Sequence, residues 1–174
     1  MKYLASIEGA LNSVEQDYIL VPAIHNVDGL SRERVFCYEL YHQTRKKLRT
    51  KKIIIHGELD KSGYPDFNNE KPDFVFHKPG SDAHNAVALE VKVEIELLNI
   101  QRDLDKLFRF VRNYHYMSAG LIIVGIDTEV IKRVLGSLFI AYREWPDSEK
   151  IFLLFLPRSG NCNNSVSLKH FVLS

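Results

Sequence analysis

Two short stretches of this chain put acids and a lysine where apolar strands would otherwise run. Asp73 follows Pro72 at the head of Phe74-Val75-Phe76-His77, and Glu90-Val91-Lys92 closes the run that starts Ala86-Val87-Ala88-Leu89. Side chains alternate along a strand, so Glu90 and Lys92 share one face and Val91 takes the other. If the strands pair with Asp73 near the Glu90 end, a second carboxylate joins them. Charges gathered on apolar strands need partners or a metal to offset desolvation. Two arrangements meet that need: a cation held by the carboxylates, or an ordinary Glu–Lys pair on a solvated sheet face.

The flanking elements must decide between them. Lys78 to Asn85 carries Pro, Gly and Asn and makes the two strands a long-looped hairpin. Ser31 is the expected N-cap of a helix to about Leu48, with Val35, Tyr38, Leu40, Tyr41 and Leu48 available to pack. Glu39 sits mid-helix, and on the helix alone it reads as a surface residue paired with Gln43 or a basic neighbour. The helix runs out in Arg45-Lys46-Lys47-Leu48-Arg49-Thr50-Lys51-Lys52, which suits the helix dipole as a solvated face and alternatively a phosphate-contacting patch. Ile53 to Leu59 is strand-like, with Glu58 near its far end as a further acid that faces either the Asp73 site or water. Asp60 to Glu70 is an irregular loop of the kind that forms lids or substrate contacts.

After Lys92, Asn99 to about Tyr116 has helical periodicity. Leu104, Leu107, Phe108 and Val111 line one face, and Arg102, Lys106, Arg109 and Asn113 another. That basic stripe is either a solvated face with Asp103 and Asp105 as partners or a nucleic-acid contact, and Gln101 lies in the first turns. Ala119–Ile126 is an apolar strand of a sheet centre, followed by a helix capped by Asp127 or Thr128 and running to about Glu144. Lys150–Pro157 and an edge strand from Val166 to Leu173 complete the sheet, whose strand–helix–strand succession implies a parallel portion. Upstream, Tyr3 to Leu20 reads as one amphipathic helix and Val21 to Gly29 as a loop with Asp-Gly turn chemistry.

Composition limits the classes. The chain has 174 residues, 45% of them hydrophobic and 26% charged, which fits one globular domain, and its succession of strands and helices makes the expected class α/β. A net charge of +1 gives no global signature of a nucleic-acid binder, so local patches must carry any such role. Cys37 and Cys162 lack metal-ligand spacing, which fits a reducing compartment. No apolar run reaches membrane-span length and the first residues lack an apolar signal core, so the expectation is a cytoplasmic protein with no membrane partner.

Taken in order, a helix with Glu39, a strand, a strand opening Pro72-Asp73, a strand with Glu90-Val91-Lys92, a helix and an apolar strand resemble the PD-(D/E)xK nuclease superfamily. The resemblance covers about residues 31–126, leaving 127–174 as an extra helix and strands of the same single domain. It implies a restriction-endonuclease-like mixed β-sheet flanked by helices and a metal-dependent endo- or exonuclease acting on DNA, in restriction, defence or repair. Phosphodiester hydrolysis needs a neutralised phosphate and an activated water, and Mg²⁺ or Mn²⁺ serves both with hard oxygen ligands. The resemblance assigns Asp73, Glu90 and the Val91 carbonyl to the metal, Glu39 to the metal directly or through water, and Lys92 to the attacking water. Glu58 and Gln101 are secondary candidates, with Arg102, Lys106 and Arg109 as nucleic-acid contacts. The Tyr that accompanies a Gln-led motif in end-processing members has no convincing counterpart near Gln101. No separate recognition domain is evident, so sequence recognition would fall to loops such as Asp60 to Glu70, a homodimer or a partner protein. The alternative is a non-catalytic binding or assembly module on the same fold.

Overall fold

The computed structural model describes residues 2–24, 26–48, 52–58, 70–80, 84–162 and 165–172. The first part of the chain forms α1 (Lys2–Leu11), α2 (Gln16–Ile19), β1 (Val21–Ala23), β2 (Asn26–Leu30) and α3 (Glu33–Lys47). Then come β3 (Ile54–Gly57), β4 (Phe74–His77), β5 (Asn85–Lys92), α4 (Leu97–Arg112), β6 (Ser118–Val124), α5 (Thr128–Arg143), β7 (Ile151–Leu156) and β8 (Val166–Ser167). The strands β3 to β8 lie side by side in sequence order in one six-stranded sheet, while β1 and β2 pair separately.

The sheet is mixed: β4 runs antiparallel to β3 and β5, β6 runs parallel to β5 and β7, and β8 returns antiparallel. Sequence accounts for the order. Every residue of β6 is buried, as a central strand covered on both faces requires. Helices cover both faces of the sheet. Val87, Leu89 and Val91 of β5 pack with Ile7, Leu11, Phe36 and Leu40 of α1 and α3. On the opposite face Val75 and Ala88 join Leu104, Leu107, Phe108, Leu135 and Phe139 of α4 and α5. The two-residue period of β5 thus sends Glu90 and Lys92 to the α4 face. Among the described residues no helix is long and apolar enough to cross a membrane.

Three local expectations change. The helix read over Tyr3–Leu20 stops at Leu11, where the Ser13 hydroxyl donates to the Gly9 carbonyl and competes with the backbone ladder. Val21–Gly29 is not a loop but most of the β1–β2 hairpin, with Val21 opposite Leu30 and Ala23 opposite Asn26. Its Asp28-Gly29 lies inside β2 rather than at the turn, and Gly29 has a φ of +73°. The edge strand expected to reach Leu173 ends after Ser167, because Leu168 and Phe171, three apart, both turn into the core from a 3₁₀ turn at Leu168–His170. Leu59, most of the Asp60–Glu70 loop and Arg49-Thr50-Lys51 of the basic run lie outside the described residues.

Leu104, fully buried, seats α4 on the sheet beside the charged residues of β5. Leu104→Ala is expected to cost about 2–5 kcal/mol in a urea denaturation midpoint analysis; a loss under about 1 kcal/mol would mean that α4 is held by other contacts.

Candidate active site

The β4–β5 register pairs Phe74 with Leu89, and the next step along both strands sets Asp73 against Glu90. Asp73 closes that step with its side chain: its Oδ2 accepts the Val91 N–H at 2.7 Å. Facing the same neighbour, a residue's N–H and C=O lie on one edge of a strand, so the Val91 carbonyl shares this edge with Asp73. Asp73 alternates with Val75, and Glu90 with Ala88, on the α4 face. Asp73, Glu90 and Lys92 are therefore brought to one sheet face at the C-terminal end of β5.

Two helices complete the cluster. From α4, Asp103 and Lys106 point inward one turn apart: Lys106 Nζ lies 2.7 Å from Glu90 Oε1 and 3.9 Å from Asp103 Oδ1, and also donates to the Lys71 carbonyl at 3.3 Å. Lys92 Nζ lies 3.5 Å from Asp103 Oδ2 and 3.7 Å from Glu33 Oε2, which the first turn of α3 supplies. Four carboxylates thus face two ammonium groups, a formal excess of two negative charges. Glu90 is only 1% exposed, and its Oε1 has no hydrogen bond of acceptable angle despite the nearby lysine. Asp103 Oδ2 is buried and lacks a hydrogen bond as well.

Electrostatics records the imbalance. Burial is the first cause that raises the pKa of Glu90, well above the ordinary value of 4.5, with the Asp73 charge adding to it. Burial likewise raises Asp73, Asp103 and Glu33, against the opposing pull of the Val91 N–H on Asp73 and of Lys92 on the other two. For Lys92, burial is the largest single influence and acts downward, but Asp103, Glu33, Asp73 and Glu90 together hold its pKa above 10.5. The ammonium form of Lys92 is the resting one.

Other sequence candidates fall elsewhere. Glu39 accepts a hydrogen bond from Gln43, and its place near the site is taken by Glu33, six residues earlier and so turned about 120° around the helix. Gln101 is exposed and its side chain hydrogen-bonds Tyr142, on the α5 side of α4. Of the basic stripe, Lys106 turns in to Glu90 and Arg109 forms a bidentate pair with Glu70, while Arg102 remains exposed on the wall of a cleft. Glu58 does line a cleft with Asp73; its N–H donates to the Asp73 carbonyl and its φ is +44°, a left-handed conformation uncommon for a non-glycine. Sequence reading missed Glu33 and Asp103 as members of the cluster and Cys37 and His56 as cleft walls. Burial, then Asp73 and Glu33, push the Cys37 thiol far up, so it stays protonated.

Two clefts reach the cluster. One, of about 690 Å³, runs between α3 and the β3–β4 edge to Asp73. The other, of about 430 Å³, opens on Lys92, Asp103 and Arg102, and Glu33 stands in the wall of both. The chain matches no protein-family model and no curated protein.

Whether a divalent cation suits this site can be asked of its donors. Among the described residues no three His, Cys, Asp or Glu side chains are gathered to hold one ion. Mg²⁺ does not require three: it is commonly bound through one or two carboxylates, its own waters and substrate phosphate. Asp73, Glu90 and the Val91 carbonyl supply hard oxygen donors, and the formal excess of two negative charges equals the charge of such an ion. The donor set fits.

The uncompensated charge makes a prediction for stability without metal. Carboxylates whose folded pKa is raised bind more protons folded than unfolded, so stability in a chelator falls as pH rises above the ordinary carboxylate range. Lys92, also raised, has the same slope but a distant window: its contribution is fully present below 10.5 and is lost as pH rises through its raised pKa. Glu90→Gln removes the most buried charge, while Lys106 keeps Asp103 and the Lys71 carbonyl. In EDTA the variant is expected to melt at a higher temperature than the wild type near about pH 8, with the gap closing toward about pH 5. Melting below the wild type at both pH values would show that the Glu90–Lys106 pair outweighs the desolvation of Glu90.

Proposed function

We propose that this protein is a divalent-cation-dependent nuclease on a restriction-endonuclease-like fold, hydrolysing phosphodiester bonds of nucleic acid, with DNA as the first substrate to test. The observation that carries the reading is the meeting of Asp73, Glu90 and Lys92 at the end of β5, with a buried excess of negative charge. The resemblance to PD-(D/E)xK nucleases rests on the same three residues together with the order of the elements that carry them.

In this reading Asp73, Glu90 and the Val91 carbonyl would hold Mg²⁺ or Mn²⁺, whose chemistry would be charge neutralisation and water activation. Lys92, kept as an ammonium by Asp103 and Glu33, donates hydrogen bonds to the attacking water and the scissile phosphate, stabilising charge rather than removing a proton. Glu33 and Asp103 position Lys92 from opposite helices. Lys106 supplies the positive charge beside Glu90 when no cation is bound, and Asp103 offers it a second partner.

One observation favours a non-catalytic second reading: Lys106 already pairs Glu90 within the chain, as a binding module that retains its acids for structure would require. Calorimetric titration with Mn²⁺ separates the two, because the module releases no binding heat that depends on Asp73.

Incubation of purified protein with labelled single- and double-stranded DNA and RNA in Mg²⁺ or Mn²⁺ tests the nuclease directly. Asp73→Ala and Lys92→Ala are each expected to lower the cleavage rate by at least about a hundredfold. Glu33→Gln should impair cleavage more than Glu39→Gln, which is remote from Lys92. Cleavage that survives intact in both Asp73→Ala and Lys92→Ala would belong to a contaminant.

A further inference from the structure

Helix α3 brings more than Glu33 to the site. Arg34, Tyr38, Tyr41 and Arg45 follow at steps of four, three and four residues, which aligns them along one helix face over about 16 Å. The larger cleft lies against this stripe, with Arg34, Tyr38, Tyr41 and Phe74 in its walls and Asp73 among them. The Tyr41 ring stacks 6.5 Å from Phe74 at an interplanar angle of 22°. Tyr38, one turn before Tyr41, is 69% exposed and presents its ring to solvent. Beyond Tyr41 a second hollow of about 400 Å³ continues to His42, Arg45 and Lys46. The Arg45 guanidinium lies 6.0 Å over the Tyr41 ring. Leaving Asp73 along α3, one therefore meets Glu33 with Arg34 beside it, then aromatic rings, then the cations Arg45 and Lys46.

That order suits one kind of substrate. A base inside a duplex has its faces covered by its neighbours, so an aromatic wall beside the reacting position serves a base that is out of the stack. Arginine and lysine past the rings would meet the flanking phosphate. The acids in the same cleft, Glu33 and Glu58, belong to its Asp73 end: Glu33 pairs with Lys92, and the Glu58 backbone bonds that of Asp73. They repel phosphate there unless a cation intervenes, with Arg34 the one cationic side chain among the described residues of that cleft's lining, whereas Arg45 and Lys46 bring two cations past the rings.

Resting on the nuclease reading above, we infer that the substrate is presented as an unpaired nucleotide. A single-stranded end or overhang lies along α3, with one base on Tyr38 and Tyr41, its flanking phosphate on Arg45 and Lys46, and the scissile phosphodiester at Asp73 and Lys92.

Fluorescence anisotropy in EDTA, where the cation-dependent reaction is off, tests this with fluorescein-labelled oligothymidylate, oligouridylate and a blunt DNA hairpin. Both single strands, or one of them, should bind more tightly than the hairpin, and the tighter of the two assigns DNA or RNA. Tyr38→Ala, at an exposed position, should weaken that binding about tenfold, the loss of one base–aromatic stack. Tyr38→Phe, which keeps the ring, should retain the affinity. Arg45→Ala should lower the slope of log affinity against log salt by about one. Equal binding of hairpin and single strands, wild-type affinity in Tyr38→Ala, or no binding of any probe would overturn the inference. Asp73-dependent hydrolysis alongside any of these results would leave the nuclease reading standing. Tyr38-dependent single-strand binding without hydrolysis in Mg²⁺ or Mn²⁺ would instead remove catalysis and keep the groove.

Discussion

Glu90 places a carboxylate at the end of β5, where its neighbours along the strand, Ala88 and Leu89, are buried and apolar. Burying a charge of this kind costs several kcal/mol unless it is well paired, and one lysine at a poor angle is a partial match. Much of the surrounding arrangement can be understood as a response to that cost. Lys106 and Asp103 turn inward on α4, Lys92 is shared between Asp103 and Glu33, and Asp73 gives an oxygen to the Val91 N–H. Even so, the acids outnumber the lysines by two.

The fold supplies the rigidity that such a site needs. The alternating faces of β5 send Val87, Leu89 and Val91 into one core and Glu90 with Lys92 toward the other, so the positions of the charges are set by the packing of their neighbours. Antiparallel pairing with β4 brings Asp73 alongside, and the parallel partner β6, buried throughout, fixes β5 from its other side. The helices then approach from both faces of the sheet: α3 delivers Glu33 past the end of β5, and α4 delivers Asp103 and Lys106. Burying these charges opposes the stability that the packing supplies.

How far the sequence disclosed this depends on the element. Strand alternation is a strict period of two, so Glu90 and Lys92 on one face could be read directly, while Asp73 beside them depended on the β4–β5 register. A helix is less forgiving: choosing Glu39 over Glu33 required knowing which side of α3 meets the sheet, and the two differ by about a third of a turn. On α4 the misleading feature was composition. Asp103 and Lys106 look like a solvated ion pair, and only packing of α4 against β5 turns them into the charged lining of a buried cluster. Leu168 and Phe171 ended the last strand early for a similar reason, since burial of residues three apart overrode the apparent alternation. The proposed fold family and chemistry rest on the site motif, while the structure itself gives a six-stranded mixed sheet flanked by helices.

We propose that the formal excess of negative charge around Glu90 serves a divalent cation. Crystals soaked in MnCl₂ and measured for anomalous scattering test it most directly. A manganese peak bounded by Asp73, Glu90 and the Val91 carbonyl is expected, with the Lys106 ammonium displaced from Glu90. A protein fully exposed to Mn²⁺ that shows no peak there, with Lys106 still against Glu90, would contradict it.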